Sequence, residues 1–156
     1  MQTKTSSGSQ KLIMDIQFAT PAIEASISRI ASPTLIKKWV KSTGPLQGLI
    51  TLRFVNAAEG KKLNHAYRKK AYATNVLTFP YDSSKDEVIA DLIYCLPVIQ
   101  KEAKQQGKTL KAHLAHLIVH GCLHAQGYDH MHEREAKKME HLEIQLLQQL
   151  GFPNPY

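Results

Sequence analysis

The densest chemistry in this chain of 156 residues lies in one short stretch, where His120 and His124 are separated by Gly121, Cys122 and Leu123. On a helix, residues four apart project from one face about a turn from each other, so the two imidazoles can reach a single ion. Gly127 lets the chain turn back after the helix, and Tyr128 and Asp129 carry it to His130, giving His-x-x-x-His-x-x-Gly-x-x-His overall. Three imidazoles leave the fourth tetrahedral position to water, which is how a catalytic zinc differs from a structural one. Such a water loses a proton near neutral pH and becomes a nucleophile. The expectation is one zinc ion per chain, held by His120, His124 and His130. Asp129 stands where a carboxylate either orients a ligand imidazole or caps the turn.

The spacing matches the long zinc motif of metzincin peptidases, with one difference: the glutamate that follows their first histidine as general base is replaced by Gly121. Peptidase chemistry therefore lacks its base. A metal hydroxide, or a side chain from elsewhere, would have to serve, and phosphodiester cleavage suits the first option because the metal also polarises a phosphoryl oxygen.

Charge points in the same direction. Twenty Lys and Arg against thirteen Asp and Glu give a formal charge of +7, and the excess is clustered. Lys61, Lys62, Arg68, Lys69 and Lys70 share a ten-residue window without an acid, and Lys101, Lys104, Lys108 and Lys111 form a second stretch beside Glu102. Each run reads either as a phosphate-binding surface or as a solvated helix face. His113 and His116 fall near the helical face of His120 and His124; they line the cleft or face solvent, and solvent is the expectation.

These residues need a frame. The ligand helix is predicted from about Thr109 to Gln126 and is apolar on most sides, so it should be central and rigid. Alternation of Leu12, Met14, Ile16 and Phe18 predicts a first strand, and Gly48 to Asn56, Asn75 to Pro80 and Glu87 to Leu96 predict three more, the last two separated by a turn-rich stretch from Tyr81 to Asp86. Ser32 and Pro33 open a short amphipathic helix that ends before Gly44 and Pro45. Further helices are expected over Ala57 to Arg68, from Pro97 to about Gln106, and from Glu133 to Leu150, the last with Ala136, Met139, Leu142, Leu146 and Leu150 as its buried stripe. The fold class is α+β: a small mixed sheet of about four strands packed against several helices, with the histidine helix at the centre.

The composition bounds the setting. Cys95 and Cys122 each lie in apolar surroundings and read as reduced core thiols, which places the protein in a reducing cytoplasm. Residues 1–10 read as a flexible polar tail without the apolar core of a secretory signal, no run is long enough to span a membrane, and residues 11–156 read as one domain.

The segment HGCLHAQGYDH, preceded by YRKKAYATNVLTFP and ADLIYC, resembles the YbeY family of bacterial rRNA-maturation endoribonucleases, and the likeness runs from about Gly48 to Tyr156. The resemblance implies an α+β fold and one zinc on His120, His124 and His130. It also implies metal-dependent cleavage of single-stranded RNA in 16S rRNA 3′-end maturation and ribosome quality control, with rRNA and ribosomal particles as partners. Arg68 matches the arginine that the family places near the metal, where a guanidinium suits a phosphate or its transition state. Lys61, Lys62, Lys69 and Lys70 would hold the RNA backbone. Two positions depart from the family pattern: Ala71 stands where aspartate is usual, leaving no acid there to carry a role, and Ala90 precedes Asp91 where glycine is usual. Two other readings stand beside this one: an RNA- or ribosome-associated factor whose metal is structural, and a metallohydrolase of a non-RNA substrate.

Overall fold

The inner face of the sheet is written in rows of side chains that meet across strands. Strands β1 (Leu12–Phe18), β2 (Gly48–Val55), β3 (Val76–Pro80) and β4 (Val88–Cys95) lie in the order β1-β2-β4-β3, with β1, β2 and β4 mutually parallel and β3 antiparallel to β4. The register sets Ile16 beside Leu52 and Leu92, and Phe18 beside Phe54 and Tyr94. The three aromatic rings stack at 5.6 and 5.5 Å between centroids. Because side chains alternate across a strand, the opposite face takes Asp15, Gln17 and Arg53, which are polar. The α+β reading holds. The computed structural model describes residues 11–45, 47–81, 87–128 and 132–156; the expected tail over residues 1–10 and most of the turn-rich stretch before β4 lie outside the described residues.

Among the described residues six helices accompany the sheet: α1 (Pro21–Ser28), α2 (Pro33–Ser42), α3 (Ala57–Arg68), α4 (Leu96–Gln105), α5 (Leu110–Ala125) and α6 (Glu133–Gln149). Helix α5 packs against α2, α4, α6, β3 and β4. That position follows from its composition: Leu114, Ile118, Val119, Cys122 and Leu123 are all fully buried, so apolar side chains leave the helix in several directions. Thr109 starts it, accepting the Ala112 N–H at 3.1 Å.

Three departures from the sequence reading have plain causes. Helix α1 was not expected, although Thr20 and Pro21 repeat the cap-then-proline signal of Ser32 and Pro33; its short length leaves only Ile23 and Ile27 as buried positions, too few for a periodic pattern. The stripe of α6 is centred on Met139, Glu143 and Leu147, with Ala136, Leu142, Leu146 and Leu150 half-buried along its sides. An apolar count passes over the acid at the centre of that stripe. His113 and His116 do not face solvent: His113 is buried and His116 nearly so, because α4 and α6 close over that part of α5 and bring a carboxylate to each ring.

Candidate functional site

Four histidines run along one stripe of α5, at positions 113, 116, 120 and 124. Steps of three and four residues return to nearly the same angle on a helix, so the rings follow one another at centroid spacings of 6.4, 6.3 and 6.5 Å. The stripe changes character along its length. His113 and His116 are enclosed and bonded to carboxylates, whereas His120 and His124 line an open cleft of about 510 Å³, their rings nearly parallel at 15°.

Both cleft histidines are held in the same way, through Nδ1. His120 donates from Nδ1 to Glu143 Oε2 at 2.7 Å, and His124 donates from Nδ1 to the Tyr128 carbonyl at 3.0 Å. Placing the proton on Nδ1 puts the lone pair on Nε2, the form in which an imidazole binds a metal ion. The Tyr128 carbonyl reaches His124 because Gly127 takes a left-handed conformation, φ +102°, and the Tyr128 N–H bonds back to the Leu123 carbonyl at 3.1 Å. The turn glycine thus orients a side chain as well as ending the helix.

Glu143 enters this site from α6 and was missed in the sequence. It is 0% exposed. Its Oε1 accepts from His116 Nε2 at 2.7 Å and from the Tyr156 hydroxyl at 2.5 Å, while Oε2 accepts from His120. Burial pushes the carboxyl up from its ordinary 4.5, but the hydrogen bonds from His116, His120 and Tyr156 outweigh burial and hold it down at about 2. The signal available in the sequence was an acid four residues after Met139 and four before Leu147, inside an otherwise apolar stripe.

The opposite lip of the cleft is built by α3 and the segment leading into β3. Arg68 is the last residue of α3; Lys69 then turns left-handed, φ 59°, and buried Asn64 ties the Tyr72 carbonyl at 2.7 Å, so the chain doubles back and brings Thr74, Asn75 and Val76 along the cleft. Arg68 and Tyr67 line the cleft that His120 and His124 line. Lys61, Lys62, Lys69 and Lys70 are exposed, on α3 or directly after it, and are not among its lining residues. Asn75 was also missed; its amide donates to Glu102 at 3.1 Å, and Glu102 in turn meets His113 Nε2 at 2.9 Å, so the inner end of the histidine stripe braces a cleft residue. Within the second basic run, Lys108 is spent on the Pro155 carbonyl at 2.6 Å.

Gly121 explains why no glutamate follows the first histidine. A Cβ there would lie 2.7 Å from the Tyr94 hydroxyl, with Val76 and Leu92 next. The position faces the sheet, and a side chain larger than hydrogen requires the buried Tyr94 hydroxyl to shift.

His130 and Asp129 lie outside the described residues, and among the described residues no cluster of three or more metal-ligating side chains occurs. Two imidazoles that direct Nε2 lone pairs while donating Nδ1–H to a carboxylate and a carbonyl have the outer contacts that metal-binding histidines carry. Two such imidazoles suit a divalent transition-metal ion, zinc among them.

Residues 14–151 match the family described as Endoribonuclease YbeY. A protein of Polynucleobacter asymbioticus named Endoribonuclease YbeY is 69% identical over 150 residues, covering 96% of this chain and 97% of that one. Another of that name, from Burkholderia pseudomallei, is 50% identical over 148 residues, covering 94% and 80%. The solution structure of TM1509 from Thermotoga maritima shares the fold, with a TM-score of 0.53 at 21% identity, covering 89% of this chain and 92% of that one.

Proposed function

Since the chain belongs to the YbeY family of endoribonucleases, we propose that it is a zinc-dependent enzyme cutting single-stranded RNA, acting in the cytoplasm on rRNA within ribosomal particles, in 16S 3′-end maturation and ribosome quality control. The observation that carries the chemical part is the sharing of one cleft by His120, His124 and Arg68. His120 and His124, with His130 from beyond the helix, would hold the ion. Zinc bound there supplies Lewis acidity toward a phosphodiester.

The remaining work falls to the protein's own side chains. Arg68 neutralises phosphoryl oxygens and gains strength as their charge grows toward the transition state. Its planar fork also fixes the orientation of the phosphate. Thr74, Asn75 and Thr78 line the same cleft and offer hydrogen-bonding groups to the nucleotides that flank the scissile bond. Lys61, Lys62, Lys69 and Lys70, exposed on α3 or directly after it, attract the backbone without reading its sequence.

The test is incubation of zinc-loaded protein with end-labelled single-stranded RNA, beside His120→Ala and a chelator control. The expected result is cleavage that disappears in both controls. Intact RNA in the presence of bound zinc would overturn the reading and favour an RNA-associated factor or another substrate.

A further inference from the structure

A buried carboxylate costs several kcal/mol of desolvation unless its oxygens are satisfied. Glu143 is satisfied three times over, by donors from two separate parts of the chain: His116 and His120 on α5, and Tyr156 beyond the end of α6. Among the described residues no lysine or arginine pairs with it. For packing alone, an apolar side chain between Met139 and Leu147 would serve α6 at least as well.

The segment that carries Tyr156 is pinned at several points. The Phe152 N–H bonds to the Leu147 carbonyl at 2.8 Å, the Phe152 ring meets Trp39 edge-on at 5.7 Å, and Lys108 holds the Pro155 carbonyl. The Tyr156 ring then stands edge-on to His116 at 5.3 Å and its hydroxyl reaches Glu143 Oε1. These anchors hold the segment in place, and from it the hydroxyl reaches Glu143. His116 and Tyr156 occupy one carboxylate oxygen, which directs the other at His120 Nδ1.

We infer that Glu143 is the positioning residue for His120, and that Tyr156 and His116 orient its carboxylate, so that the C-terminal segment forms part of the metal centre. The inference rests on the zinc reading for its consequence. Its immediate content is narrower: Glu143 fixes the ring plane of His120 and keeps its proton on Nδ1. Replacement by glutamine places an NH₂ against one of two imidazole N–H donors, and one ring must change tautomer or turn away.

The experiment uses the full chain with Glu143→Gln and Tyr156→Phe. Zinc affinity is read by competition with a chromophoric chelator, and histidine tautomers are read from ¹⁵N chemical shifts of the chelated protein. Glu143→Gln should weaken zinc binding by about 10- to 100-fold, and should move either His120 or His116 out of its present tautomer, whichever ring meets the glutamine NH₂. Tyr156→Phe keeps the ring and removes one donor, so a loss of a few-fold is expected, with the His120 tautomer retained. Zinc affinity and His120 tautomer both unchanged in a folded Glu143→Gln protein would overturn the inference. If Glu143→Gln does not fold, Tyr156→Phe decides, and unchanged affinity there overturns it. If the wild-type chain takes up no zinc, the zinc reading fails by itself. The tautomers of His120 and His116 in wild type and variant then decide whether Glu143 positions the rings.

Discussion

Arg68 and the cleft histidines stand on different elements yet border the same space, which is why a change at Arg68 should separate catalysis from metal binding. Arg68→Ala should lower the rate of RNA cleavage by on the order of a hundredfold or more with zinc affinity unchanged, and Arg68→Lys should recover only part, because an ammonium cannot reproduce a bidentate fork. Parallel cleavage and zinc-competition assays check both halves; a matched fall in zinc affinity would make Arg68 a structural residue. Cys122 gives an independent reading of the core. It is fully buried, and burial pushes its thiol up from an ordinary 9 to about 12. The folded state therefore keeps a proton that the unfolded chain releases above 9, so this group leaves stability intact below pH 9 and subtracts from it as pH rises toward 12. Denaturant titrations at about pH 8 and about pH 10 should show the loss, and Cys122→Ala should reduce it. At about pH 8 the native protein should resist alkylation at Cys122 until it is unfolded.

Helix α5 is both a core element and the carrier of the cleft histidines, and Gly121 is where the two demands meet. Gly121→Ala should destabilise the fold by about 1–3 kcal/mol, the usual cost of overpacking, because the new methyl meets the Tyr94 hydroxyl at 2.7 Å. Tyr94→Phe removes that oxygen along with its bond to the Leu117 carbonyl, so each single change should cost stability and the double variant should cost less than their sum. A strictly additive double-mutant cycle would show that the hydroxyl is not what excludes a side chain at 121.

At the scale of the whole molecule, charge and the proposed zinc ion should each leave a signature. The exposed lysines at 61, 62, 69 and 70 lie on or just after α3, which builds one lip of the cleft, on a chain of formal charge +7. Binding of single-stranded RNA should weaken with salt, and replacing these lysines by alanine should flatten the log–log salt dependence by about 0.7 for each phosphate that is no longer neutralised; an unchanged slope would place the RNA on another face. Zinc bound only by the folded state adds about 2.7 kcal/mol at a hundredfold excess over its dissociation constant. Chelation should accordingly lower the melting temperature by several degrees, a shift that His120→Ala should abolish. No helix among the described residues is long and apolar enough to cross a membrane.

Much of what local spacing governs could be read from the chain alone: the alternation that makes β1, the glycine that closes α5, the stripe on which His120 and His124 share a face, and the basic window that ends just past Arg68. Those features rest on interactions within a few residues, where backbone geometry is nearly fixed. Which carboxylate answers which histidine emerged only from the packing of the layers. Glu102 and Glu143 are 11 and 23 residues from the imidazoles of His113 and His120; the place of Glu143 in an apolar stripe hints at burial, but which ring each acid meets is decided only when α4 and α6 close over α5. The expectation that His113 and His116 face solvent failed for the same reason, since a helix shows its own faces in its sequence but not what packs against them. Burial is a property of the assembled layers, and so is the environment that turns a polar residue in an apolar stripe into a positioning group.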